Sequence, residues 1–281
     1  MSSSSSCSKA KVKEILDSRF TILIVIVTLT QTCFLFVAAL LGGALTSIAG
    51  GGGFILFPAL IFAGLPAINA NATATVAGWL GCGVSLAAYP DELSAQRRIS
   101  IVLGSVSLIG ATVGAVLLIY TPTAAFERLV PYLLLFSTLL FAGGRKITTW
   151  FNFHLGEFNQ NSWRSLLIAS CIQFFIAVYG GFYGAGVAIL ILASMEMLGM
   201  KDIHFVNALK ILLMTLQSTF AVMTFAIAGV IVWQPAVLMM LGTVIGGYGG
   251  AYYARRLKQD LVRRFVIVVG FIITCYFFIR G

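Results

Sequence analysis

Ten apolar runs, separated by short polar or basic stretches, take up almost the whole chain. They fall at residues 20–48, 53–65, 67–89, 99–120, 129–143, 164–182, 186–199, 203–229, 232–254 and 262–280. An apolar run of about 20 residues spans the hydrocarbon of a bilayer as a helix. Inside that layer only helices and closed barrels satisfy every backbone donor and acceptor. A barrel would alternate apolar and polar residues over short segments, and these runs are continuous. Only 10% of the residues are charged, against about 25% in a soluble domain. The expected fold is therefore all-α, a polytopic transmembrane helical bundle of about ten segments. The lipid bilayer is its first partner.

The formal net charge of +9 is spread over short loops rather than gathered on one face or arm. Arg97-Arg98, Arg145-Lys146, Lys201, Arg255-Arg256-Lys258 and Arg263-Arg264 carry most of it. A nucleic-acid binder would concentrate its charge, so no nucleic-acid partner is expected. Loops with this bias lie in the cytoplasm under the positive-inside rule. The serine-rich start and the basic stretch after it, residues 1–19, read as a disordered or interfacial tail. Cys7, Cys33, Cys82, Cys171 and Cys275 form no CxxC pair. They suggest no disulfide framework and no metal site, and no cofactor is expected.

The second and seventh runs are too short to cross about 30 Å as ideal helices. Each follows a glycine cluster: Gly50, Gly51, Gly52 and Gly53 before the second, Gly184 and Gly186 before the seventh. Pro58 adds a further irregularity. A broken helix in hydrocarbon leaves unpaired N–H and C=O groups unless protein or a polar cavity satisfies them. Gly53 and Gly186 stand 133 residues apart, Gly64 and Gly199 stand 135 apart, and Gly110–Ala115 and Gly246–Ala251 stand 136 apart. The near-constant spacing implies two five-segment repeats, residues 20–143 and 164–281, joined by a loop at 144–163. An odd number of crossings per half inverts the second repeat, and matched breaks in such halves point to a transporter's binding site.

Short helices opening at these glycines would present free N–H groups and about half a positive charge each. Glycine lets an oxyanion approach the backbone. The alternative role for such glycines is close helix packing, the expectation for Gly42-Gly43, Gly246-Gly247 and Gly249-Gly250. Lys210 lies about eight residues into the eighth run, where a lysine needs a polar partner or must snorkel to the interface. Its repeat mate is Thr75, an uncharged hydroxyl. Asn71 and Asn207 complete the candidate set for substrate binding: Gly50, Gly51, Gly52, Gly53, Asn71, Thr75, Gly184, Gly186, Asn207 and Lys210. Asn69, Thr73, His204, Gln173 and Gln217 are polar residues equally suited to gluing helices together. Glu196 is placed to pair with Lys201 or Lys210. Thr46 and Ser47 are placed to cap the first break.

The glycine block after Leu45-Thr46-Ser47-Ile48-Ala49, the run GGGGFILFPALIFAGLPA and its echo GFYGAGVAILILASMEMLGM resemble the TauE/SafE sulfite-exporter family. The resemblance extends from about residue 35 to residue 280. It implies a multi-pass permease of the cell inner (plasma) membrane that moves a small sulfur oxyanion or sulfonate. The second half keeps the family's basic residue as Lys210; the first half has Thr75 where a lysine can stand. The expectation is a secondary transporter alternating between two inverted repeats, with proton coupling and simple facilitation both open. It is not expected to be an enzyme: HExxH and GxSxG are missing. The alternatives are an anion channel and a sulfur carrier that uses a cysteine. A homodimer is one open assembly.

Overall fold

The computed structural model describes residues 29–46, 50–86, 97–150, 163–198, 200, 202–254 and 259–280. The tail at 1–19, Ser47, Gly199, Lys201, Arg255-Arg256-Lys258 and residues 151–162 of the expected joint lie outside the described residues. Ten helices appear within the described part, with no strand among those residues. They are α1 (Leu29–Thr46), α2 (Gly53–Phe62), α3 (Ala67–Leu86), α4 (Arg97–Tyr120), α5 (Thr123–Trp150), α6 (Trp163–Phe182), α7 (Val187–Met197), α8 (Ile203–Ile227), α9 (Trp233–Ala254) and α10 (Gln259–Arg280). Each coincides with one expected apolar run.

The largest departure is α5. Its apolar run begins at Leu129, but the helix begins at Thr123, where the Pro122 carbonyl accepts the Ala125 and Phe126 amides at 2.9 and 3.0 Å. Glu127 and Arg128 interrupt the apolar run without interrupting the helix. The helix also continues through Gly143 and Gly144, because each glycine lowers helix propensity by only about 1 kcal/mol.

Stretches in α1, α4, α5, α6 and α8 are long and apolar enough to cross a membrane. Their outward faces carry large apolar side chains such as Ile109, Leu117, Phe175 and Ile227, the surface a lipid environment accepts. Exposed Tyr120, Trp163 and Trp233 stand at helix ends, where aromatic rings favour the membrane interface. Interior helices follow a different rule. The short α2 buries Phe54, Leu56, Phe57, Pro58, Ala59 and Leu60, nearly every face it has. The α3 interior is built from small residues (Ala67, Ala70, Ala72, Ala74 and Ala77 are buried), which lets neighbouring backbones come close.

Glycine sets two of the closest crossings. Gly110 and Gly114 of α4 face the α6 backbone, Gly114 directly against the Val178 carbonyl. Gly246 of α9 faces the Leu40 carbonyl of α1, and Gly43 of α1 faces Thr243. Gly43 and Gly246 follow the packing expectation, whereas a Cβ at Gly249 would meet nothing within 4 Å. The α4–α6 pairing is the counterpart of α9–α1, each joining the first helix of one half to the fourth of the other. The same exchange maps α4–α8 onto α9–α3, α2–α3 onto α7–α8 and α5–α7 onto α10–α2, and it maps α3–α8 and α5–α10 onto themselves.

Polar side chains tie α3 to the second half. Trp79 Nε1 donates to Thr219 Oγ1 at 2.8 Å, and Asn69 Nδ2 donates to the Val230 carbonyl at 2.8 Å. The Thr73 hydroxyl accepts the Val232 amide at 3.1 Å. The start of α3 therefore lies beside the end of α8, and the two helices run antiparallel.

Candidate functional site

Both glycine clusters end one helix and start another. At the first, the Gly50 amide donates to the carbonyl of Thr46, the last residue of α1, at 3.0 Å, and Gly50 takes φ +71°. At the second, the Tyr183 and Gly184 amides both donate to the Tyr179 carbonyl, and Gly184 and Gly186 each take φ +80°. L-residues seldom occupy that region, so the reversal requires glycine. The chain doubles back at the first break: a Cβ at Gly42 of α1 would meet Leu56 of α2 at 2.8 Å. At 10 residues α2 rises about 15 Å, half the hydrocarbon thickness. It returns beside α1 as a half-span, the length that its short apolar run implies.

The two breaks meet. A Cβ at Gly50 would fall 2.6 Å from Ala188 Cβ, and one at Gly53 would fall 3.4 Å from Ala185 Cβ. The amides of Gly52, Gly53, Ala185 and Gly186 have no acceptor among the described residues. Unpaired N–H groups of this kind form the positive end of a helix dipole.

A cavity of about 100 Å³ lies where the breaks meet. Gly50, Gly52, Gly53, Asn71, Thr75 and Gly184 of the expected site line it. On α3 the lining residues Asn71, Ala74, Thr75, Gly78 and Cys82 follow helical spacing along one face. Gly51, Gly186, Asn207 and Lys210 stand outside the lining. Gly186 backs onto Ser137 of α5. Lys210 Nζ donates to Asn207 Oδ1 at 3.3 Å, and its ammonium lies within electrostatic range of Cys82. Lys210 shares the α8 face that carries Met214 and Gln217, so it sits at one end of the cavity. Cys82 has no charged sequence neighbour, and only the fold brings a cation to it.

Several polar candidates do structural work. Asn71 Nδ2 donates to the Phe182 carbonyl at 3.0 Å, at the end of α6. The Thr75 hydroxyl returns to the Asn71 carbonyl at 2.8 Å. The Thr46 hydroxyl returns to the Gly42 carbonyl at 2.9 Å, so Thr46 lines the cavity without capping the break. Gln173 donates to Ser107 at 2.7 Å, away from the cavity. His204 is exposed in the first turn of α8, which Asp202 caps through the His204 and Phe205 amides. Glu196 is exposed and makes no ion pair with Lys210.

Two residues stand out that sequence reasoning weighed as structural or passed over. Gln217 is 3% exposed and lines the cavity, and neither its Oε1 nor its Nε2 has a hydrogen-bond partner. Tyr183 is 4% exposed and lines the cavity, and its hydroxyl is also without a partner. The Tyr183 ring is held edge-on to Phe57, with centroids 5.5 Å apart. Gln217 follows Cys82 by 135 residues, the spacing that separates Thr75 and Lys210, a signal that required knowing Cys82 lines the cavity. Among the described residues no cluster of His, Cys, Asp or Glu is arranged to hold a metal.

The family model described as "Sulfite exporter TauE/SafE" matches residues 35–277. A "Probable membrane transporter protein ORF9" from Sinorhizobium sp. is 28% identical over 243 residues, covering 84% of this chain and 88% of that protein. A "Probable membrane transporter protein" from Haemophilus influenzae is 29% identical over 246 residues, covering 85% and 91%. The "Probable membrane transporter protein YfcA" of Escherichia coli is 26% identical over 248 residues, covering 84% and 85%. No solved structure matches the chain.

Proposed function

The chain belongs to the TauE/SafE family, and from that premise we propose that it is a secondary transporter, not an enzyme, for a small sulfur-containing anion such as sulfite or a short sulfonate. It is a multi-pass membrane protein, and the inner (plasma) membrane fits the family. The observation that carries the reading is the meeting of two half-helix starts at one small cavity within the bundle. Their unpaired amides favour a negative solute, and convergent half-helix starts are a recurring form of transporter site. A volume of about 100 Å³ suits a small ion, well below the roughly 300–1,000 Å³ of pockets for drug-sized ligands.

Alternating access follows if the halves are inverted repeats. The antiparallel course of α3 and α8, counterparts in the two halves, supports that relation. Rocking one half against the other would open the cavity first to one side and then to the other. Lys210, outside the lining but at its end, draws the anion in.

Uptake of radiolabelled sulfite, sulfate, thiosulfate and a small sulfonate into proteoliposomes, with and without a pH gradient, tests the reading. Lys210→Ala should insert normally and lose about tenfold or more of the uptake rate, in line with losing one charged contact. Wild-type rates in that variant would refute the role of Lys210, and no uptake of any of the four anions by the wild type would refute the transport reading.

A further inference from the structure

The cavity holds fewer charges than a site for a doubly charged oxyanion needs. None of its lining residues is acidic, basic or histidine. The two half-helix starts contribute about half a positive charge each. Lys210 is not part of the wall but stands at the cavity's end: Met214 of the lining follows it by four residues, about 6 Å along the α8 axis at 1.5 Å per residue. The wall itself therefore supplies about one unit of positive potential, and the Lys210 ammonium adds to it only from the cavity's end. A second negative charge would find no matching cation in the wall, and a bundle interior penalises a poorly compensated charge strongly.

The neutral hydrogen-bonding groups point the same way. Gln217 presents an amide with both ends free, and Tyr183 presents a free hydroxyl, both in the cavity wall. Buried side-chain polar groups nearly always have a partner, and an orphaned one calls for an explanation. Gln217 Oε1 lies directly against Gly180 of α6, where a Cβ would collide with it, so a glycine makes the space that the amide occupies. Thr75, in the same wall, uses its one hydrogen on the Asn71 carbonyl, and Asn71 spends one of its two amide hydrogens on the Phe182 carbonyl.

We propose that Gln217 and Tyr183 are the oxygen ligands of a singly charged anion, seated between them and the amides at the two breaks, with Lys210 waiting outside the cavity. This rests on the reading of the cavity as the transport site. Gln217 Nε2 and the Tyr183 hydroxyl donate to two substrate oxygens. Gln217 Oε1 is then matched to a protonated oxygen of the substrate, such as that of hydrogen sulfite, or to water accompanying a sulfonate.

Methanesulfonate, which carries one charge across the neutral range, and sulfate, which carries two, separate the outcomes in the full-length protein. Thermal stability in detergent and uptake in proteoliposomes are read for wild type, Gln217→Met and Tyr183→Phe. Methanesulfonate should raise the wild-type midpoint and be taken up; sulfate should do neither. Sulfite uptake should rise as pH falls and the singly charged form takes over. Gln217→Met should be at least as stable as wild type without substrate, because it removes an orphaned amide at similar volume. Its half-saturation concentration for methanesulfonate should rise about tenfold or more, and Tyr183→Phe should shift in the same direction. A purely structural glutamine would instead lower the midpoint and leave half-saturation unchanged. Sulfate handled as well as methanesulfonate, or unchanged half-saturation in both variants, overturns this proposal while leaving transport intact. A wild-type protein that neither binds nor moves any anion overturns the transport reading, and this proposal with it.

Discussion

At the scale of single residues, glycines of one helix do opposite things. In α9, a Cβ on Gly246 would be driven into the Leu40 carbonyl of α1, whereas one on Gly249 would meet nothing within 4 Å. The backbone at Leu40 cannot yield as a flexible side chain would. Gly246→Ala should therefore destabilise by about 1–3 kcal/mol, the usual cost of overpacking. Gly249→Ala should be neutral or gain up to about 1 kcal/mol through helix propensity. Thermal midpoints in the same detergent compare the two directly, and equal shifts would contradict the close approach of α1 and α9. A glycine pattern in the sequence does not separate these cases, because both positions belong to the same GGYGG run.

At the scale of elements, the two breaks are held differently. The Ala185 carbonyl in the second break accepts from the Tyr179 hydroxyl at 2.7 Å and lies 3.0 Å from Ser137 Oγ of α5, whose single hydrogen is shared among that carbonyl, the Leu133 carbonyl at 2.7 Å and the Tyr179 oxygen at 2.7 Å. The first break has no such clamp among the described residues, since the Thr46 hydroxyl bonds back within α1. Tyr179→Phe alone should cost about 0.5–1.5 kcal/mol, because Ser137 still serves the carbonyl. Adding Ser137→Ala orphans a buried acceptor, so the pair should cost more than the two single changes together by about 0.5 kcal/mol or more. A double-mutant cycle on thermal stability measures this, and strict additivity would mean that the two hydroxyls do not share the load. The breaks themselves were legible because each glycine cluster precedes a run too short to span. The clamp was not: Ser137 and Ala185 are 48 residues apart, and nothing local marks a serine in an apolar helix as the partner of a distant carbonyl. Gln217 was obscured for a similar reason. One amide in an apolar helix reads as helix glue until its neighbours are seen to leave both of its ends empty.

At the scale of the whole molecule, helix positions followed from hydropathy almost everywhere, because lipid contact demands long apolar faces from the outer helices. The path of α2 did not, since a ten-residue apolar segment gives no sign of whether it continues onward or returns. The direction of the chain is fixed by contacts between halves. Asn69 at the start of α3 reaches Val230 beyond the end of α8, so the Gly64–Pro66 turn and the Gly229 turn share one membrane side. Counting helices from there puts the Thr121–Pro122 turn on that side too, and puts Arg97 and Asp202 on the other. The second side also holds the Arg97-Arg98 start of α4 and the Arg145-Lys146 end of α5, which makes it the cytoplasmic side expected under the positive-inside rule. In a background lacking the native cysteines, Thr123→Cys and Ala228→Cys, both at exposed positions, should react with an impermeant maleimide applied outside intact cells. Arg97→Cys and Asp202→Cys, also exposed, should react only after the membrane is permeabilised. Thr123 opens the last helix of the first half, and Asp202 caps α8 of the second. Labelling of all four from one side would contradict the inverted arrangement, and with it the rocking of one half against the other that transport through this cavity requires.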